Sequence, residues 1–320
     1  LDIVAKGNEK VLRARLADAV FFYEEDQKLS LDHALEKVKA VLYHDEIGTY
    51  KEKLERIGMV SGFIAQSIGL DKETKEIALR AAQLSKFDLV TQMVGEFPEL
   101  QGIMGERYAR LAGEREEVAK AINEHYMPRS SDGELPETVP GAVVAIGDKL
   151  DTLVSFFAIG VIPTGSQDPY SLRRQATGIV QILDRFGWDI PFTPLIEYAV
   201  GLTESFAKRS KEEIVEDVLQ FFRLRFKYLL SEKGIRYDII DAVLPNLQTV
   251  KSLMKKATIL NNRKDSPTFK EDVEALSRVI NISAKAEKMV EIRPELFENE
   301  SEDALYKAYV QLKAMAQTAD

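Results

Sequence analysis

The run from Gly141 to Gly160, GAVVAIGDKLDTLVSFFAIG, constrains the fold more than any other stretch. It is the most apolar helical segment of the chain, which places it at the centre of a helical domain. Three charges interrupt it: Asp148, Lys149 and Asp151. A carboxylate removed from water needs a partner that offsets its desolvation. The expectation is a buried ion pair, with Lys149, Lys86 or an arginine facing Asp148 and Asp151.

The segments before this run read as helices that could surround it. Gly7 to Asp26 carries Val11, Leu12, Leu16, Val20 and Tyr23 near one face, with Asn8 as N-cap. Ser30 caps a helix through about Tyr43, with Asp32 in its first turn. Tyr50 to Ile68 repeats apolar residues at three- and four-residue steps, and Asp71 caps a fourth helix that runs into Leu84. From Leu84 to Ala109 the helical pattern breaks at Phe97-Pro98, since proline disfavours the helical region for the residue before it. Gly102 and Gly105 beyond the break suit tight turns or close backbone approach. Val118 to Tyr126 is a short helix, and the proline-rich Pro128 to Pro140 is a loop.

Ile162 to Pro169 is the candidate boundary between a first domain, 1–162, and a second, 163–320. Helices follow from about Tyr170 to Phe186, from a Thr193-Pro194 start, from a Ser210/Glu213 capping box through Leu230, from a Thr268/Glu271 box into Ala286, and from about Glu302 to Ala316. Alternating strands and Asn-Gly hairpin signals are absent. The predicted class is all-α, two packed helical units without a fixed repeat.

Composition limits function. An apolar fraction of 45% and a charged fraction of 30% are those of a globular chain, and no run approaches the roughly 20 apolar residues of a membrane span. No signal peptide is evident. Zero cysteines exclude disulfides and thiolate metal sites and fit a cytoplasmic location. The net charge of −9 gives no global support to nucleic-acid binding, which draws on Lys and Arg at phosphates, so such binding would need a local basic surface. The start at Leu1, in mid-pattern, suggests a fragment of a longer protein.

Two long segments carry a family resemblance. LVTQMVGEFPELQGIMGERYA (89–109) and TGSQDPYSLRRQATG (164–178) occur in the right order and resemble the helical middle of the β subunit of bacterial heterotetrameric glycyl-tRNA synthetase. The resemblance implies ATP-dependent ligation of glycine to tRNA(Gly) by the assembled enzyme. It also implies a degenerate HD-type helical domain followed by a second helical domain. These portions would support tRNA and the catalytic α subunit without performing the ligation. No cofactor is implied here, ATP being used at the α subunit. Neither membrane nor DNA is an implied partner.

The HD comparison can be made residue by residue. HD phosphohydrolases resemble a pattern H…HD…D around a metal that activates water. His44, in the only His-Asp dipeptide, could be a first ligand. Asp148 could be the last, within Ile146-Gly-Asp-Lys-Leu-Asp151, which is similar to an ADKL-like closing motif. The central pair is Ser85-Lys86 or Phe87-Asp88 according to register, so a histidine ligand is missing and in one register a lysine stands at the metal position. No metal is expected. A metal-dependent phosphohydrolase acting on nucleotides is the alternative, and a helical scaffold binding only protein is a third.

No cysteine nucleophile, G-x-S-x-G elbow, P-loop or Rossmann fingerprint is present. Binding is left. Arg107, Arg110, Arg129, Arg173 and Arg174 could contact phosphate, and Tyr170 could stack on an unpaired base. Equally, Asp168 to Arg174 could be a structural corner in which Asp168 caps the helix and Arg173 reaches a carboxylate. Tyr108 could stack likewise, but at helical spacing it reads rather as core or rim. Phe222, Phe226 and Leu229 read as an apolar stripe, with Arg225 about 200° from Arg223 around the helix.

Overall fold

A computed structural model describes residues 2–284 and 292–318. The chain forms two compact units, Leu1–Asn262 and Arg263–Asp320. The division in packing lies at 262/263. Ile162-Pro163, the boundary expected from sequence, falls inside the first unit. The all-α class holds: apart from one small hairpin, the regular elements among the described residues are helical.

The first unit opens with α1 (Asp2–Asp26) and α2 (Leu31–Ala40). The hairpin β1 (Leu42–His44) and β2 (Gly48–Thr49) follows, then α3 (Tyr50–Ser67) and α4 (Lys72–Leu84). Helix α1 runs through Gly7 and Asn8, so Asn8 caps nothing, and Val11, Leu12, Leu16 and Val20 are exposed. Ser30 and Asp71 cap as expected, accepting from the amides of His33 and Thr74. The hairpin has no alternation signal because its strands are only three and two residues long.

The stretch after Leu84 breaks into short pieces: a 3-10 turn (Phe87–Val90), α5 (Gln92–Glu96), a second turn (Pro98–Leu100), and α6 (Ile103–Leu111). Gly102 has φ +78°, and a Cβ there would lie 2.6 Å from the Tyr126 ring. That position needs glycine on both counts. Helix α7 (Glu116–Glu124) precedes the proline-rich loop.

Helix α8 (Val139–Ala158) is the hub: every residue from Pro140 to Ala158 is buried, and α3, α4 and α7 pack around it. At Gly147 a Cβ would meet Ser61 Oγ at 2.6 Å and the Ile57 carbonyl at 3.1 Å, so α3 approaches α8 more closely than any side chain would permit. Helix α9 (Leu172–Phe186) also lies along α8. Next come α10 (Phe192–Gly201), α11 (Lys211–Glu232), α12 (Tyr237–Val243) and α13 (Val250–Arg263). Helix α10 starts before the expected Thr193-Pro194 point, because the Phe192 amide is satisfied by the Gln248 carbonyl and Pro194 then falls in a first turn that has no bond to lose. The Ser210/Glu213 capping box forms.

In the second unit α14 (Phe269–Ser283) and α15 (Glu300–Thr318) are amphipathic helices. The Thr268/Glu271 box does not form: Thr268 is itself helical, with φ −87° and ψ −14°, which denies its hydroxyl the capping geometry. The expected helix end at Ala286 lies outside the described residues. Among the described residues no helix is long and apolar enough to cross a membrane.

Candidate functional site

The charges that interrupt α8 organise the site. Asp148 Oδ2 lies 2.7 Å from Lys86 Nζ, and its Oδ1 lies 3.0 Å from Lys53 Nζ. Lys53 also reaches Asp151 at 3.0 Å and donates to Thr152 Oγ1 at 2.8 Å, while Arg56 Nε stands 2.5 Å from Asp151 Oδ1. All of these groups are buried. Burial alone would raise the Asp148 carboxyl, but Lys86 and Lys53 outweigh it and hold it well below the usual carboxylate range. The expected pairs with Lys86 and an arginine are therefore present, and Lys53 joins them.

Lys149 pairs with neither aspartate, contrary to one expected arrangement. One residue further along a helix turns a side chain by about 100°, and Lys149 instead donates to the His125 carbonyl at 3.2 Å. Burial pulls its ammonium down to about 7, against the attraction of Asp148 and with the help of Lys86, Arg129 and Arg174. His125 lies beneath, fully buried, its Nε2 4.0 Å from Asp148 Oδ2. Burial and Lys86 hold its pKa well below the usual imidazole value, so it is neutral.

The degenerate HD positions can now be placed. Lys86 lies against Asp148, where the Ser85-Lys86 register expected a lysine beside that carboxylate. Ser85 is buried and donates to the Ala82 carbonyl. Phe87 is core. Asp88 turns away to accept from the Gly102 amide at 2.6 Å. His44 faces Phe156 edge-on and lies 3.4 Å from the Tyr170 hydroxyl. Among the described residues no three His, Asp or Glu side chains gather where they could hold a metal. The hydrolase alternative thus loses its ligand set to two ammonium groups.

Above the cluster opens a cleft of about 380 Å³, lined by Lys53, Lys86, Arg129, Asp148, Lys149 and Arg174 together with Tyr43, Tyr50, Tyr126, Phe156 and Tyr170. Tyr170 stacks on Phe156 at 3.8 Å with an interplanar angle of 20°. Arg129 donates to the Gln101 carbonyl and to Asn123, and its guanidinium lies 5.2 Å from the centre of the Tyr126 ring. A second cleft, sharing Arg174, is lined by Arg173 and Arg225 and also by Asp132, Asp168 and Glu232.

Four of the six residues expected at a binding surface, Arg129, Tyr170, Arg173 and Arg174, thus gather at these two clefts. The corner expected around Asp168 also exists: its carboxylate accepts from the amides of Leu172 and Arg173. Arg173 reaches the Gly165 carbonyl rather than a carboxylate, because Asp168 is occupied by those amides. Arg107 and Arg110 line neither cleft. Arg107 donates to the Tyr23 hydroxyl, and Arg110 is held by Glu106 and Glu116, each at 2.5 Å. Tyr108 is core, as expected, with its hydroxyl on Asp26.

Sequence reasoning passed over Lys53, Lys149 as a cleft residue, and Arg225. Lys53 lies on the buried side of α3, and its neighbours Leu54 and Ile57 hint at that. Arg225 stands opposite the solvated Arg223, as the helical angle required, and on that side it lines a cleft with Arg173.

A family model described as glycyl-tRNA synthetase beta subunit matches residues 1–245. The chain is 51% identical to the glycine–tRNA ligase beta subunit of Halalkalibacterium halodurans over 322 aligned residues, covering 100% of this chain and 46% of the relative. It is 52% identical to that of Bacillus subtilis, covering 97% of this chain and 44% of the relative. Against that of Listeria monocytogenes it is 46% identical, covering 98% and 46%. The chain spans about half the length of the curated relatives it matches.

Proposed function

This chain belongs to the glycyl-tRNA synthetase β-subunit family, and from that premise we propose that it is a tRNA-supporting portion of a glycine–tRNA ligase. In this reading it performs no ligation. Glycine activation and transfer, with their ATP, take place on a partner α subunit in the cytoplasm, and this chain contributes tRNA(Gly) contacts and assembly.

The observation that carries the reading is the gathering of Arg129, Arg173, Arg174 and Arg225 at two clefts that share Arg174, on a chain whose net charge is −9. Arginine suits phosphate because its planar fork donates in pairs. Arg174 makes no ion pair or hydrogen bond among the described residues, so its donors are available. The Tyr170 ring, 39% exposed and backed by Phe156, offers a flat surface to an unstacked base. Arg110, saturated by two carboxylates, is left out of the proposed surface, as is Arg107.

The test is binding of labelled tRNA(Gly) to this chain across a salt series, with a non-cognate tRNA beside it. Affinity that falls steeply with salt and favours tRNA(Gly) is expected. Absence of binding at low salt would contradict a direct tRNA role for this portion.

A further inference from the structure

The cleft above Asp148 has more positive charge than its own residues neutralise. Five basic side chains line it, Lys53, Lys86, Lys149, Arg129 and Arg174, against one carboxylate, Asp148. Asp148 is already engaged by Lys86 and Lys53, and Asp151 behind it by Lys53 and Arg56. Lys149, Arg129 and Arg174 have no carboxylate partner among the described residues. For Arg174, which is exposed, water suffices. For Lys149, 3% exposed with one carbonyl as its only hydrogen-bond partner, it does not. The hydroxyl of Tyr126, in the same wall, is buried without a partner. Its ring lies 4.1 Å from Lys86 Nζ and 5.2 Å from the Arg129 guanidinium, so two cations flank it. A buried lysine and tyrosine hydroxyl beside two exposed arginines, with open space in front of them, describe an anion site.

The size and walls narrow the ligand. A volume of about 380 Å³ falls at the small end of ligand pockets and admits one nucleotide-sized group. Three cations without carboxylate partners suit a phosphate dianion better than a single carboxylate. The aromatic wall made by Tyr170 on Phe156 suits a flat ring attached to that phosphate. We propose that this cleft binds one nucleoside monophosphate-sized ligand, with its phosphate on Lys149, Arg129 and Arg174 and its base against Tyr170. The site is proposed to bind without hydrolysing, its one carboxylate, Asp148, being engaged by Lys86 and Lys53. The proposal concerns a free small ligand and does not rest on the tRNA reading, although Arg129, Tyr170 and Arg174 serve both.

The test is calorimetric titration of this chain with AMP, with adenosine and inorganic phosphate as the two halves of the ligand. Lys149→Met removes the buried charge at similar volume, and Arg174→Ala changes an exposed residue that does not threaten folding. Saturable one-to-one binding of AMP is expected, at least tenfold tighter than adenosine, competed by phosphate, and weakened about tenfold or more by either substitution. If Lys149→Met does not fold, Arg174→Ala decides. No saturable binding of AMP or phosphate at millimolar concentration would overturn the proposal, and so would AMP binding that Arg174→Ala leaves unchanged. Binding of tRNA with none of AMP would also overturn it while leaving the tRNA reading intact, so the two fail separately.

Discussion

Asp151 shows what a single residue contributes here. It is 1% exposed and holds both Lys53 and Arg56. Asp151→Asn would leave two buried cations short of a counter-charge, and breaking such a pair from one side costs about 3–5 kcal/mol. Urea unfolding of the variant beside the parent chain measures it. Lys149 gives a prediction in pH. Its folded pKa is lowered to about 7 from an ordinary 10.5, so between those values the unfolded chain holds a proton that the folded chain lacks. Stability should therefore rise with pH across that window, and the penalty of the buried ammonium should be largest and constant below about 7. Lys86, Asp148, His125, Arg129 and Arg174 surround the same group. The prediction is accordingly stated as a difference: the stability gain between pH 7 and 9.5 should be smaller in Lys149→Met than in the parent, by urea midpoint. That buried charges in α8 need partners was legible from the apolar run around them. Lys86 was legible among the candidate partners, but Lys53 and the particular arginine, Arg56, were not, because they lie 98 and 95 residues from Asp151 in sequence and no local pattern ties them to it.

At the scale of elements, the close packing of α3 on α8 depends on Gly147. Gly147→Val would drive a branched side chain into Ser61 and the Ile57 carbonyl, a backbone atom that cannot step aside. Overpacking of this kind costs about 1–3 kcal/mol, and the melting temperature should fall accordingly. Several helix starts were legible from a local cap, though the Thr268/Glu271 signature did not form. Ser30, Asp71 and Ser210 each accept an amide three residues on, a pattern written in consecutive residues. Where a distant group does the capping, the sequence misleads: the Gln248 carbonyl satisfies Phe192. At the start of α5 both kinds operate, Thr91 accepting from Val94 and the distant Asp26 from Gln92 and Met93. Asn8 failed for the opposite reason, since α1 already starts before it.

At the scale of the whole molecule, the family and the helical class were legible because long motifs and helical periodicity are properties of sequence. The arginine surface was only partly so. Sequence marks an arginine but not its neighbours, and Arg110 and Arg174 look alike until Glu106 and Glu116 are seen around the first and, among the described residues, no partner around the second. The central claim is that Arg173 and Arg174 meet RNA phosphate. The most direct test is the salt dependence of tRNA(Gly) affinity for this chain and for its Arg173→Ala/Arg174→Ala variant. Each lost phosphate contact should reduce the slope of log affinity against log salt by about 1, so a slope shallower by about 2 is predicted. An unchanged slope at unchanged affinity would place tRNA elsewhere and contradict the account.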